Sequence, residues 1–205
     1  MGKVTWDGGA LTAPVPAVMV TCGDMTSSNI ITIGWTGIIS TIPPKTYISV
    51  RPKRHSYNII KERMEFVINL TPASLAKEAD YCGIYTGAKV DKFERCNFTK
   101  EPASKVSAPM IAESPLSLEC RVTQIVPMGS HDMFIADIVA VNVDSSLIDK
   151  SGRLHLDRAG LCAYAHGEYF ELGKKLGRIG FSTDKKQPLK AKSAAQKSRT
   201  HPPKK

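Results

Sequence analysis

The chain has 205 residues, 42% of them hydrophobic and 23% charged, which is enough apolar material for one sizeable core and excludes a wholly disordered chain. No window approaches the ~20 consecutive apolar residues that a membrane helix needs, and no apolar run follows Lys3 as a secretion signal requires, so the expected compartment is the cytoplasm. The formal charge of +9 sits at one end: residues 185–205 carry seven Lys, one Arg and no acid, leaving 20 basic against 19 acidic residues over 1–184. A nearly neutral body disfavours nucleic acid as a partner. The last 21 residues hold almost no large apolar side chains to offset their ordering entropy, so we expect one domain over 1–183 and a disordered basic tail over 184–205.

The N-terminal third reads as a series of strands. Ala17–Cys22 is apolar and β-branched between Pro16 and Gly23. Asn29–Thr36 alternates, with Ile31, Ile33 and Trp35 on one side and Ile30, Thr32 and Gly34 on the other. Pro43-Pro44 interrupts the chain before a third strand, Thr46–Arg51. A short helix is predicted from Ser56 to Arg63, then a buried strand, Phe66–Leu70. Thr71-Pro72 offers a capping hydroxyl and a proline at a helix start, which predicts a helix to about Tyr81. A short helix at Asp91–Arg95 precedes two long strands, Leu116–Val126 and Met133–Val143, joined through the turn Pro127–Asp132. The stretch from there to Phe181 shows no decisive periodicity. Many strands with short turns and few helices predict a mainly β protein with inserted helices, an antiparallel barrel rather than a doubly wound sheet.

The five cysteines are widely spaced, odd in number and without a CxxC pair, so structural thiols are expected and no metal site is. There is no GxGxxG, GxxxxGK[ST] or GxSxG, which excludes Rossmann, P-loop and hydrolase-elbow readings. The densest polar cluster is Ser49-Val50-Arg51-Pro52-Lys53-Arg54-His55-Ser56, leading into a helix. Its cations and the helix amides beyond Ser56 suit a phosphate monoester; a solvated basic turn is the plain alternative. Asn29, Thr32, Trp35 and Thr36 share one strand, where polar edges and a flat ring could meet a heteroaromatic group, although a strand Trp also serves as core. Asn69 and Thr71 form a third polar spot, where Thr71 doubles as a helix cap.

In order and spacing, Pro14-Val15-Pro16, Asn29–Trp35, Pro43-Pro44, Ser49–Ser56, Phe66–Leu70, Asp91-Lys92-Phe93, Pro109–Ser114, Leu118-Glu119-Cys120 and Gly129–Asp132 resemble the flavin reductase-like family over about residues 10–181. These are FMN-binding split-barrel proteins that include flavoredoxin-type electron carriers. The resemblance implies a six-stranded antiparallel Greek-key split β-barrel working as a homodimer, with FMN near the subunit interface. It implies that Asn29, Thr32, Trp35 and Thr36 line the ring, that Ser49, Val50, Arg51, Lys53, His55 and Ser56 take the phosphate, and that Asn69 and Thr71 lie near the ribityl or ring edge. Lys92 would approach the flavin from the partner subunit. The family's turn often reads Gly-Asp-His; here Ser130 stands in place of the Asp and His131 is kept, beside the face where a nicotinamide would stack.

The function implied is NAD(P)H-dependent flavin reduction, with hydride transfer to the flavin. Positioning and electrostatics are then the protein's task, and His131 orients the donor. An alternative is a flavoredoxin-like carrier that exchanges electrons with a protein partner. A third reading binds nucleic acid through the basic tail and predicts salt-sensitive binding that is lost with residues 185–205.

Overall fold

The apolar run after Pro16 is buried along its whole length because both of its faces are covered. In the computed structural model, which describes residues 2–183, strand β2 (Val18–Gly23) follows the two-residue β1 (Val15–Pro16). Val18, Val20 and Cys22 point into one cluster, while Met19 points into a second one beneath helices, so the strand reads as continuous rather than alternating. Gly23 ends it at φ +99°, where an added Cβ would lie 2.1 Å from the Ser27 carbonyl oxygen.

The strand expected at 29–36 is two strands. β3 (Ser28–Ile33) and β4 (Thr36–Thr41) are separated at Gly34-Trp35, and β4 turns back into β5 (Pro44–Val50). The helix α1 (His55–Arg63) starts one residue before Ser56 and has Arg54 as N-cap, with no side-chain cap. Tyr57 and Ile60 project from it into the same cluster as Val18 and Val20. β6 (Glu65–Leu70) follows. Thr71 does not cap the next helix: its backbone carbonyl accepts from Cys162 N–H at 3.0 Å and Ala73 N–H donates to the Gly160 carbonyl, so a tertiary bridge holds the segment extended. A 3-10 turn at Ala73–Leu75 then leads into α2 (Ala76–Ile84). α3 (Lys92–Arg95) is capped by Asp91, which accepts from Glu94 N–H.

A small ladder of β7 (Lys100–Glu101) with β8 (Met110–Ile111) precedes the long pair β9 (Leu116–Pro127) and β10 (Asp132–Val143). Two register shifts in this pair, at Ile135/Ala136 and Ile138/Ala140, bend it. The region without decisive periodicity forms a second sheet, in which β1 pairs with β11 (Cys162–Ala165) and β11 with β12 (Glu168–Glu171).

The main sheet has the order β3-β2-β6-β9-β10-β5-β4, antiparallel throughout. Its two edges, β3 and β4, are neighbours in the chain, and Ser49 N–H donates to the Trp35 carbonyl at 2.9 Å where the chain passes between them. The sheet therefore rolls into a barrel. Counting 28–41 as one broken strand gives the expected six. The connection from β5 through α1 to β6 passes over β9 and β10 in the sheet order, a Greek-key crossover. Phe66 and Phe134 are the largest side chains fully buried inside. Met19, Ile30 and Ile111 pack with Ala79, Cys82 and Phe93 on the outer face.

The chain divides into two compact units, Met1–Leu172 and Gly173–Lys205. Of the second, a 3-10 turn over Phe181–Thr183 is described, and the basic stretch 185–205 lies outside the described residues. Among the described residues no helix is long and apolar enough to cross a membrane.

Candidate functional site

The break at Gly34-Trp35 leaves Trp35 38% exposed, out of the barrel core where its strand neighbours Ile31 and Ile33 lie. Trp35 lines a cavity of about 480 Å³ together with Ser49, Arg51, His131, Tyr164 and Tyr169. A second cavity of about 290 Å³ is lined by Asn29, Lys53, His55, Ser56 and Lys92. Ile31, Arg51 and Arg54 belong to both walls, so the two cavities adjoin and together make the candidate cleft, aromatic in its larger part and cationic in its smaller.

Local sequence builds the cationic part. Arg51-Pro52-Lys53-Arg54 is a β-turn in which Arg54 N–H donates to the Arg51 carbonyl at 2.9 Å, and Pro52 supplies the preset φ of its second position. That turn brings Arg51 and Arg54 together at the start of α1, whose first turn contains no acid to oppose an anion. Ser56 is buried in the first turn of α1, and its Oγ accepts from Asn29 Nδ2 at 2.7 Å. Gly87 closes on this pair so tightly that a Cβ there would lie 2.1 Å from Asn29 Oδ1.

Lys92 Nζ is buried and donates to the Ile30 and Cys82 carbonyls of its own chain, at 2.6 and 2.7 Å. Lys92 lines the smaller cavity, and burial, with Arg54 nearby, lowers its pKa.

His131 lines the larger cavity from the β9–β10 turn. Its Nε2 accepts from Arg51 Nε at 3.4 Å, and its Nδ1 lies 2.9 Å from Ser130 Oγ. Burial, reinforced by Arg51 and Arg54, lowers its pKa below the ordinary 6.5, so the imidazole is neutral at pH 7.

Of the residues singled out in the sequence, the cleft gathers Asn29, Thr32, Trp35, Ser49, Val50, Arg51, Lys53, His55, Ser56, Lys92 and His131. Three do not line it. Thr36 donates to the Tyr47 carbonyl at 2.6 Å within the β4–β5 ladder. Asn69 is buried between sheet and outer loop, where Nδ2 donates to the Met19 carbonyl and Thr21 Oγ1, and Oδ1 accepts from Ile111 N–H and Ser117 Oγ. Thr71 Oγ1 is buried without a hydrogen-bond partner. Thr32 lines the larger cavity while its hydroxyl donates to the Ala79 carbonyl, tying β3 to α2.

Sequence reasoning missed Asp80, Tyr164, Gly167 and Tyr169 in the walls. The hairpin bearing the tyrosines was signalled by His166-Gly167, a two-residue turn with φ +50° and +93° between short alternating strands. The Tyr164 and Tyr169 rings meet edge to face at 5.5 Å. Burial and Asp80 push the Tyr169 hydroxyl up to about 12, so it remains a proton donor.

The donor set fits FMN: cationic and hydroxyl groups gather where a phosphate needs charge-assisted bonds, and a wider aromatic-walled space adjoins them.

Residues 11–173 match the family model of the flavin reductase like domain. The structure of flavoredoxin from Desulfovibrio vulgaris (Miyazaki F) superposes with a TM-score of 0.82 at 29% identity, covering 89% of this chain and 100% of that one. An uncharacterised protein of Archaeoglobus fulgidus is 33% identical over 113 residues, 55% of this chain and 64% of that relative, just under two thirds of its length. The NADPH-flavin oxidoreductase of Streptomyces viridifaciens is 23% identical over 146 residues, 69% of this chain and 74% of that protein. With the family match running from the first strand through β12, on a six-stranded barrel, the chain belongs to the flavin reductase like family.

Proposed function

We propose that the protein binds FMN in this cleft and acts as an NAD(P)H-dependent flavin reductase. The observation that carries the reading is that the two cavities adjoin at Arg51 and Arg54, so that one ligand could set an anionic end in the smaller and an aromatic end in the larger. Arg51, Lys53 and Arg54 would neutralise the phosphate, and the amides that open α1 would add donors. Trp35 and the tyrosine hairpin would enclose the ring and exclude water. FMN, when bound, supplies the redox chemistry. The neutral His131 offers orientation to a nicotinamide and adds no positive charge of its own to the larger cavity.

A second reading, a flavoredoxin-like carrier reduced by another protein, is favoured by the likeness to flavoredoxin over that chain's whole length. Both readings include a homodimer. An exposed apolar strip on the edge strand β4, with Ile38 63% and Ile39 48% exposed and Ile42 next to it 92% exposed, supports an interface there.

The test is an absorbance spectrum of the purified protein, repeated after anaerobic addition of NADH and of NADPH. Flavin bands that bleach rapidly are expected. Bands that persist would favour the carrier, and failure to bind added FMN would overturn both readings.

A further inference from the structure

Cys82, in the last turn of α2, and Cys96, at the C-terminal cap of α3, face each other with their Sγ atoms 3.9 Å apart. They are 14 positions apart. The intervening segment contributes Tyr85, Thr86, Gly87 and Lys92 to the wall of the smaller cavity, as does Cys82 itself. Lys92 Nζ binds the Cys82 carbonyl, and Cys96 N–H donates to the Lys92 carbonyl, so the backbone at both cysteines is bonded to Lys92 of that wall. Cys82 is buried while Cys96 is partly exposed, which makes Cys96 the sulfur that a solvent-borne reagent meets first.

We propose that Cys82 and Cys96 are a reversible dithiol–disulfide couple, oxidised by low-molecular-weight disulfides, that pins the wall of the anion cavity. In the first step the Cys96 thiol loses its proton to water and attacks one sulfur of the reagent. The reagent's S–S bond breaks, and the leaving thiolate takes up a proton. The Cys82 thiol then loses its proton and attacks Cys96 Sγ, releasing the second thiol. Two cysteines are oxidised by two electrons, one disulfide is reduced to two thiols, and no other reactant is needed. The new bond closes the segment that carries Tyr85–Gly87 and removes freedom from it. Burial pushes the Cys82 thiol up to about 12 and raises that of Cys96, with Lys92 opposing in both, so exchange is faster in mildly alkaline buffer.

The test uses the full chain, incubated with oxidised glutathione in such buffer, then denatured, alkylated and mapped by peptide mass spectrometry. The expected product has lost two hydrogens, with Cys82 and Cys96 protected together and released by dithiothreitol. Cys82→Ser should instead hold one glutathione on Cys96. Cys82 and Cys96 that stay alkylatable, or a bond to Cys22, Cys120 or Cys162, would overturn the couple. The effect on the cavity rests on the FMN reading and is measured separately, as FMN release from the reduced and oxidised forms. Release slower by about threefold or more in the oxidised form is expected, since preorganisation retains ligand. Equal rates would overturn the pinning, whereas a disulfide in a protein that binds no FMN would fail the FMN reading and leave the couple standing.

Discussion

Arg51 Nε donates to His131 Nε2 at 3.4 Å, joining the residue after β5 to the β9–β10 turn in the lining of the larger cavity. That bond takes the Nε2 lone pair, so the neutral imidazole carries its proton on Nδ1, facing Ser130 Oγ. A carboxylate at position 130 would favour the imidazolium; the serine does not, and the two arginines oppose it.

The midpoint of the His131 ring titration, followed by NMR, should fall below 6.5. In the window between that depressed value and the ordinary one, the unfolded chain binds more protons than the folded one. The residue's contribution to stability is therefore full above the window and lost as pH falls through it. Ser130→Asp should raise the midpoint, because the added charge favours the protonated ring. An unchanged midpoint in that variant would count against a direct Ser130–His131 contact.

Arg51→Ala should weaken FMN binding by roughly 10- to 100-fold, the range for losing a charge-assisted bond of about 1.5–3 kcal/mol. Riboflavin, which lacks the phosphate, should lose much less. Fluorescence titration with both ligands separates the outcomes, and equal losses would remove the phosphate from this turn.

Gly87→Ala should weaken FMN binding severalfold with little loss of secondary structure. The added methyl would meet Asn29 Oδ1 at 2.1 Å, driving that side chain off Ser56 Oγ. Calorimetric titration of the folded variant measures the effect, and wild-type affinity would mean that Asn29 plays no part in the site.

Asn69→Ala should destabilise the fold by about 2–4 kcal/mol, because it strands buried partners on β2, β8 and β9. Denaturant unfolding reports this loss. FMN affinity of the folded fraction should be unchanged, since Asn69 does not line the cleft; a parallel loss of affinity would return Asn69 to the site.

Local chemistry was sufficient for much of this molecule. The alternation of Thr46–Arg51 foretold β5, which ends at Val50; the runs 116–126 and 133–143 around a turn foretold the β9–β10 hairpin; the β-branched run foretold β2, and a short helix at 91–95 foretold α3. The basic turn at 51–54 was legible as a turn that gathers cations because proline and clustered charges act within a few residues. Thr71-Pro72 misled, since its helix-start pattern was overridden by backbone bonds to Gly160 and Cys162, about 90 positions away.

The remainder depends on chain closure. Nothing in the alternation of 28–36 says that the strand breaks at Gly34 so that its halves occupy opposite edges of one sheet, yet that break brings Trp35 out into the cleft. The tyrosines of the last hairpin reach the same cavity because β1 pairs with β11. Asn69, alike in type to Asn29, ends on the opposite side of β2 and is consumed by structure. Residue type and short-range spacing set which groups can hold an anion or cover a ring; which of them meet is set by long-range pairing, where burial outweighs any local preference.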